Sequence, residues 1–294
     1  MKPHPTPFLN PPPERCTLEH ARVVVLPFPY EGGISYETGT AAAPRAILEA
    51  SAQLEFYDEV LQAEPVEVGI ATVQPPEIPE DPRQMIETLY QTARALLDRK
   101  KFIVVAGGDH SITSGYVRAL KERCDPLGVI QLDAHADLRE SYDGSPLSHA
   151  CVMARIREIT PHTVQLGIRS ISAEEARRVR QDGLLLCPLH RWRQGAFDLQ
   201  GALRRLPEQV FITVDVDVFD WSVVSSTGTP EPGGLLWDEA LGILKTVFNA
   251  KDVVGFDVVE LAYKKDDMNS PFAVAKLIYK MIGFKFDHRL TRIF

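Results

Sequence analysis

The run GVIQLDAHADLR at residues 128–139 constrains this chain more than any other stretch. Val129, Ile130 and Leu132 read as a short buried strand, and it leads straight into Asp133, His135 and Asp137, three ligand-type residues spaced two apart. On an extended backbone those side chains share one face, because a strand alternates its side chains. Ala134 and Ala136 suit the packed opposite face. Carboxylate oxygens with one imidazole and no sulfur suit a hard or borderline divalent cation. A single Asp or His at a strand end is more often a turn former or helix cap, but three in strict alternation reverse that reading.

A second line of this kind is FITVDVDVFD at residues 211–220, where Phe211, Ile212 and Val214 form the strand and Asp215 and Asp217 follow it. The third is FIVVAGGDHS at residues 102–111, an apolar strand, a Gly107-Gly108 turn and the start of a helix. That turn lacks the GxGxxG spacing and a following Lys, so a phosphate cradle is the weaker reading and His110 is the better clue, a sixth ligand. Asp133, Asp137, Asp215 and Asp217 together carry the charge that two divalent cations would cancel. Without cations, carboxylates packed at one sheet edge raise one another's pKa and destabilise the fold. Two metals roughly 3.5 to 4 Å apart can acidify a shared water, which implies metal-assisted hydrolysis.

The 294 residues, 45% apolar, can bury one substantial core, and we expect a single domain over 21–294 preceded by an extended Pro-rich arm over 1–20. The arm is either a loose tail or a strap across a neighbouring subunit. Strands are expected at 22–26, 66–70, 102–106, 129–133, 163–167, 184–187, 210–215 and 253–259. Helices are expected at 44–51, 81–100, 112–123, 149–159, 173–181, 197–206, 237–249 and 272–282. Alternating strands and helices with continuously apolar strands call for an α/β fold with a mostly parallel sheet covered on both faces. In such folds ligands collect at the carboxyl ends of the strands, where all three motifs fall. A net charge of −8 argues against nucleic acid or an anionic membrane as partner, and the basic run Arg177, Arg178 and Arg180 reads as a solvated face. No window reaches membrane-helix length. Cys16, Cys124, Cys151 and Cys187 lie far apart without a CxxC pair, which fits a reducing cytoplasm.

GGDHS (107–111), DAHADLR (133–139), SHA (148–150), DVDVFD (215–220) and FDVVEL (256–261) stand in the order and spacing of the ureohydrolases, the arginases and agmatinases, which the chain resembles from about residue 22 to 283. TGTPEPGGL (227–235) and GISY (33–36) look like the agmatinase branch. The resemblance implies a three-layer α/β/α sandwich with an eight-stranded sheet and a site for two Mn2+. By motif, one ion would take His110, Asp133, Asp137 and Asp215, and the other Asp133, His135, Asp215 and Asp217. His149 falls where the family places a proton-shuttling histidine, Glu260 where a carboxylate grips the guanidinium, and Asp137 where a proton passes to the leaving amine. Assembly as a homo-oligomer, trimer or hexamer, is implied by kinship alone.

Arginases grip the amino-acid end of their substrate where this chain has Arg139 and Ser172, so that grip looks lost and agmatine, cleaved to putrescine and urea, is favoured. Glu175 could meet a terminal ammonium, or could simply be a helix N-terminal carboxylate. Lys264 and Lys265 read as solvated loop residues; were they or Arg139 to face the pocket, guanidinobutyrate would compete. Aminopropylagmatine would fit a larger pocket, and arginine stays among the alternatives. Two rivals come from other classes: a dimetal phosphoesterase, which needs further His and Asn ligands, and a non-catalytic metal-binding regulator, which does not need His149 and Glu260.

Overall fold

The structure is a computed structural model that describes residues 1–293. Eight strands, β1 (Val23–Phe28), β2 (Ile70–Thr72), β3 (Phe102–Gly107), β4 (Gly128–Leu132), β5 (Thr163–Ile168), β6 (Leu185–Pro188), β7 (Gln209–Asp215) and β8 (Asp252–Val259), form one sheet in the order β2-β1-β3-β8-β7-β4-β5-β6. Every pairing among them is parallel. Strand alternation explains why the sheet is covered on both faces. Val23 and Val25 enter one apolar cluster while Val24 and Leu26 enter the other. The same split separates Val104 from Val105 and Ile212 from Phe211.

Helices α1 (Ala43–Ser51), α2 (Pro82–Asp98), α3 (Thr113–Lys121), α4 (Val152–Ile159), α5 (Ala173–Gln181), α6 (Leu189–Arg193), α7 (Leu199–Arg204), α8 (Trp237–Ala250) and α9 (Asn269–Phe286) supply the outer layers. Most buried apolar residues of α2, α3 and α4 join one cluster, and most of those of α1, α7, α8 and α9 join the other. Each fully buried aliphatic side chain contributes about 1.5–3 kcal/mol, so these two faces dominate the stability of the sandwich.

Several boundaries differ from expectation for identifiable reasons. Residues 65–68 form a 3-10 turn rather than a strand, because Pro65 offers no N–H and Gly69 turns the chain at φ +77°, so β2 begins only at Ile70. α2 starts one residue late because Asp81 is its cap, accepting from the N–H groups of Arg83 and Gln84. α7 is shorter than expected because Asp198 caps it. The expected helix at 149–159 opens with a 3-10 turn, His149–Cys151, before α4.

The first residues lie against their own chain. Phe8 and Leu9 are buried, Phe8 N–H donates to Thr72 Oγ1 at 2.8 Å, and Leu9 N–H donates to Ser51 Oγ at 2.8 Å. No described helix is long and apolar enough to cross a membrane.

The turn after β3 leaves less room than any other described glycine position. A Cβ on Gly108 would sit 1.8 Å from the Tyr30 carbonyl oxygen. Asp109 N–H donates to that same oxygen at 2.9 Å, and Glu260 N–H donates to the Gly108 carbonyl at 2.9 Å. The turn is thus wedged between the loop after β1 and the end of β8, with backbone on both sides. Gly108→Ala is expected to cost about 3 kcal/mol or more through this overpacking. A urea-denaturation midpoint equal to that of the parent protein would contradict the wedge.

Candidate active site

His110 follows β3, Asp133 follows β4, Asp215 ends β7 and Glu260 follows β8. Because β3, β8, β7 and β4 are consecutive in the sheet, motifs more than a hundred residues apart in sequence open onto one spot. His110 Nδ1 lies 3.2 Å from Asp133 Oδ2, 3.3 Å from Asp137 Oδ2 and 3.4 Å from Asp215 Oδ2. His135 Nδ1 lies 2.8 Å from Asp217 Oδ2 and 3.7 Å from Asp133 Oδ1. Two donor groups result, His110 with Asp133 and Asp137, and Asp133 with His135 and Asp217, sharing Asp133.

The convergence is not the work of strand alternation, as the sequence suggested. β4 stops at Leu132, His135 makes only an isolated bridge to Ser170, and Asp137 turns left-handed at φ +53°. Asp217 likewise lies in a 3-10 turn after β7. Glu260 is also left-handed, at φ +67°. A left-handed conformation at a non-glycine residue costs on the order of 1–3 kcal/mol and persists only where the surroundings enforce it. Here the Asp137 carbonyl accepts from the N–H groups of Met153 and Ala154, and Glu260 is tied to Gly108.

The donors fit a pair of cations. His110 Nε2 sits 2.8 Å from Thr213 Oγ1, and a proton there, donated to the threonine, leaves a lone pair on Nδ1. That buried nitrogen has no hydrogen-bond partner and faces three carboxylate oxygens, an arrangement that needs positive charge between them. Burial resists a charged His135, yet Asp217 and Asp133 push it up to about 12. Burial and then the Asp133 charge raise Asp137 to about 6, and burial with Asp217 and Asp133 lifts Asp215 well above the carboxylate range. Burial works against a charged Asp133, but His110 and His135 hold it below the usual carboxylate range, so the shared carboxylate stays charged among groups that hold protons, a field that favours cations.

Beneath the donors runs a row of polar side chains that sequence reading missed. Gln165, Gln131, Thr213 and Asp257 are register partners on β5, β4, β7 and β8, all buried. Gln165 donates to Gln131 at 2.5 Å, and Gln131 donates to Asp133 Oδ2 at 2.6 Å. Thr113 donates to Asp257 Oδ2 at 2.7 Å. The signal was present, since Gln131 and Thr213 each stand two residues before a ligand aspartate in an apolar strand, hence on its face. Arg169, also missed, donates to the carbonyls of Asp217 at 2.6 Å, Glu231 at 2.8 Å and Pro232 at 3.0 Å, tying the Asp217 turn to the loop that carries Thr229.

Glu260 and His149 border the cluster. Glu260 Oε1 accepts from His110 N–H at 2.6 Å and lies 3.1 Å from His149 Nδ1. Its Oε2 is buried without a partner, beside Gly228. Burial works against a charged His149, but Glu260 foremost, then Asp137 and Asp109, lift it to about 9.

Arg139, Ser172 and Glu175 all line the cavity that opens over the cluster. Ser172 and Glu175 form a capping box at the start of α5, and Glu175 also accepts from Leu138 N–H at 2.9 Å. Both Glu175 oxygens are therefore committed to backbone, which favours the helix-terminal reading over an ammonium contact. The Arg139 guanidinium sits 5.2 Å from the Tyr142 ring centre. Lys264 is exposed and 3.7 Å from Glu37, Lys265 is exposed, and neither lines the cavity.

Because Asp133 belongs to both donor groups, Asp133→Ala is expected to abolish binding of both cations, whereas Asp137→Ala should spare the group containing His135. Metal content per chain after dialysis tests this; equal occupancy in the two variants would contradict a shared Asp133.

The profile of the Arginase family matches residues 21–283. Among similar proteins, one named N(1)-aminopropylagmatine ureohydrolase from Synechocystis sp. is 38% identical over 90% of this chain and 89% of its own length. One named agmatinase from Pyrococcus horikoshii is 33% identical over 90% of this chain and 93% of its own. The solved agmatine ureohydrolase of Thermoplasma volcanium superposes with a TM-score of 0.84 at 29% identity, covering 92% of each chain. A match over so much of the sequence, in a sheet of the same arrangement, leaves one conclusion: this chain belongs to the arginase family, as a ureohydrolase.

Proposed function

We propose that this ureohydrolase releases urea from a cationic guanidino amine, N(1)-aminopropylagmatine, with two Mn2+ as cofactors. The observation that carries the reading is Glu260, a buried carboxylate at the edge of the ligand cluster whose Oε2 has no partner. A planar guanidinium is the cation such an oxygen takes, by a charge-assisted hydrogen bond. When bound, a pair of divalent cations supplies an acidified water near neutral pH. Glu260 holds the guanidinium against the cluster, Asp137 hands a proton to the departing amine, and His149 exchanges protons with solvent. Oxygen-rich donors with two imidazoles suit manganese among the common divalent ions.

The longer substrate is supported by the shape of the cleft. The cavity over Asp137 and Asp215 meets a second depression that shares Arg139, Ser172 and Glu175 with it and continues to Glu140 and Glu174. An aminopropyl extension has somewhere to lie and Glu174 to meet, since Glu140 is held by Arg155 and Arg178. Relatives named N(1)-aminopropylagmatine ureohydrolase support the same choice. Agmatine is the second reading, favoured by Arg139 in the lining of both depressions, which opposes a further ammonium; the same Arg139 brings guanidinobutyrate into competition. Relatives named agmatinase support it too. Four unpaired cysteines support a cytoplasmic setting. Kinship supports a trimer or hexamer, and a monomer by light scattering would count against it.

Urea release should be measured with aminopropylagmatine, agmatine, arginine and guanidinobutyrate after loading with manganese, magnesium or zinc. The first substrate with manganese is expected to exceed agmatine by about 10-fold in kcat/KM. Equal or faster turnover of agmatine would select the second reading, and turnover of guanidinobutyrate alone would reject both.

A further inference from the structure

We propose that Ser35 carries protons between His149 and solvent, as the outer member of a chain Glu260–His149–Ser35. Ser35 Oγ lies 2.9 Å from His149 Nε2, while Nδ1 of the same ring lies 3.1 Å from Glu260 Oε1. The imidazole is buried, at 7% exposure, whereas Ser35 is exposed and lines the cavity. The ring thus turns one nitrogen to the guanidinium-binding carboxylate and the other to the one hydroxyl it contacts at the surface.

Holding the loop does not require that hydroxyl. Gly32 and Gly33 N–H groups donate to Asp109 Oδ2 at 2.9 and 2.7 Å, and His149 N–H donates to the Gly33 carbonyl at 3.2 Å. The loop is therefore pinned by backbone just before Ser35. Serine, histidine and carboxylate in line also resemble a nucleophilic triad. Acyl transfer needs free N–H groups to hold an oxyanion, and those of Gly32, Gly33 and His149 are engaged. Proton transfer needs no such hole. Protonated His149 gives its Nε2 proton to Ser35 Oγ as the serine passes its own hydroxyl proton to water, so the serine ends unchanged; the reverse sequence reloads the ring. The carboxylates of Glu260, Asp137 and Asp109 face His149 and favour its charged form.

The inference rests on His149 acting as the shuttle, and the test separates the two. In the manganese-loaded enzyme, Ser35→Ala is expected to lower kcat about 10-fold with KM and metal content unchanged, and added imidazole should restore most of the loss. Ser35→Thr, which keeps the hydroxyl, should retain kcat, and in a His149→Ala background the Ser35→Ala change should have no further effect. Parental kcat in Ser35→Ala, or a loss that imidazole does not relieve and that moves KM, would overturn the relay. If His149→Ala alone keeps parental kcat, the shuttle role itself falls; if only that variant is slow, the relay falls and the shuttle stands.

Discussion

Four buried aspartates within reach of two histidines, at the ends of neighbouring strands, are the arrangement around which the rest of the molecule is built. Like charges this close raise one another's pKa and oppose folding unless positive charge sits among them. The protein nevertheless commits structure to bringing them together. Asp137 and Glu260 adopt left-handed backbone, Gly108 is wedged against Tyr30, and a polar row replaces apolar packing beneath the ligands. A buried amide or hydroxyl left unpaired costs on the order of 1–3 kcal/mol, so the Gln165–Gln131–Asp133 connection offsets the burial of that row while aiming the shared aspartate.

The cluster has two sides with separate tasks. On one, aspartates and imidazoles present donors; on the other, Glu260, His149 and Ser35 form a hydrogen-bonded line reaching the surface. Glu260 joins them, because the oxygen that faces His149 also accepts the backbone N–H of His110. A shift of the turn after β3 would therefore move His110 and Glu260 together, and tight backbone contacts hold it on both sides of Gly108.

Further out, the wall of the cleft is built from groups with divided duties. Glu175 satisfies the amides of Leu138 and Ser172, so it shapes the wall of the cleft by fixing the loop after Asp137. Arg139, beside the Tyr142 ring, brings positive charge to the wall of that cleft.

Sequence alone determined the class of the fold and pointed to the candidate donors. Continuously apolar strands separated by helices demand a parallel sheet with two covered faces, and Asp-x-His-x-Asp and Asp-x-Asp mark where strands deliver ligands. Those signals are local, since they depend only on short spacings and residue chemistry. Tertiary structure decided what is not local: the strand order that makes β3, β8, β7 and β4 neighbours, and the turns that aim Asp137 and Asp217 once the strands have ended. It alone decided that Thr213 backs His110 and that Ser35, over a hundred residues from His149, meets its ring. Contacts between distant segments are set by how the sheet stacks its strands, and no spacing along the chain encodes them.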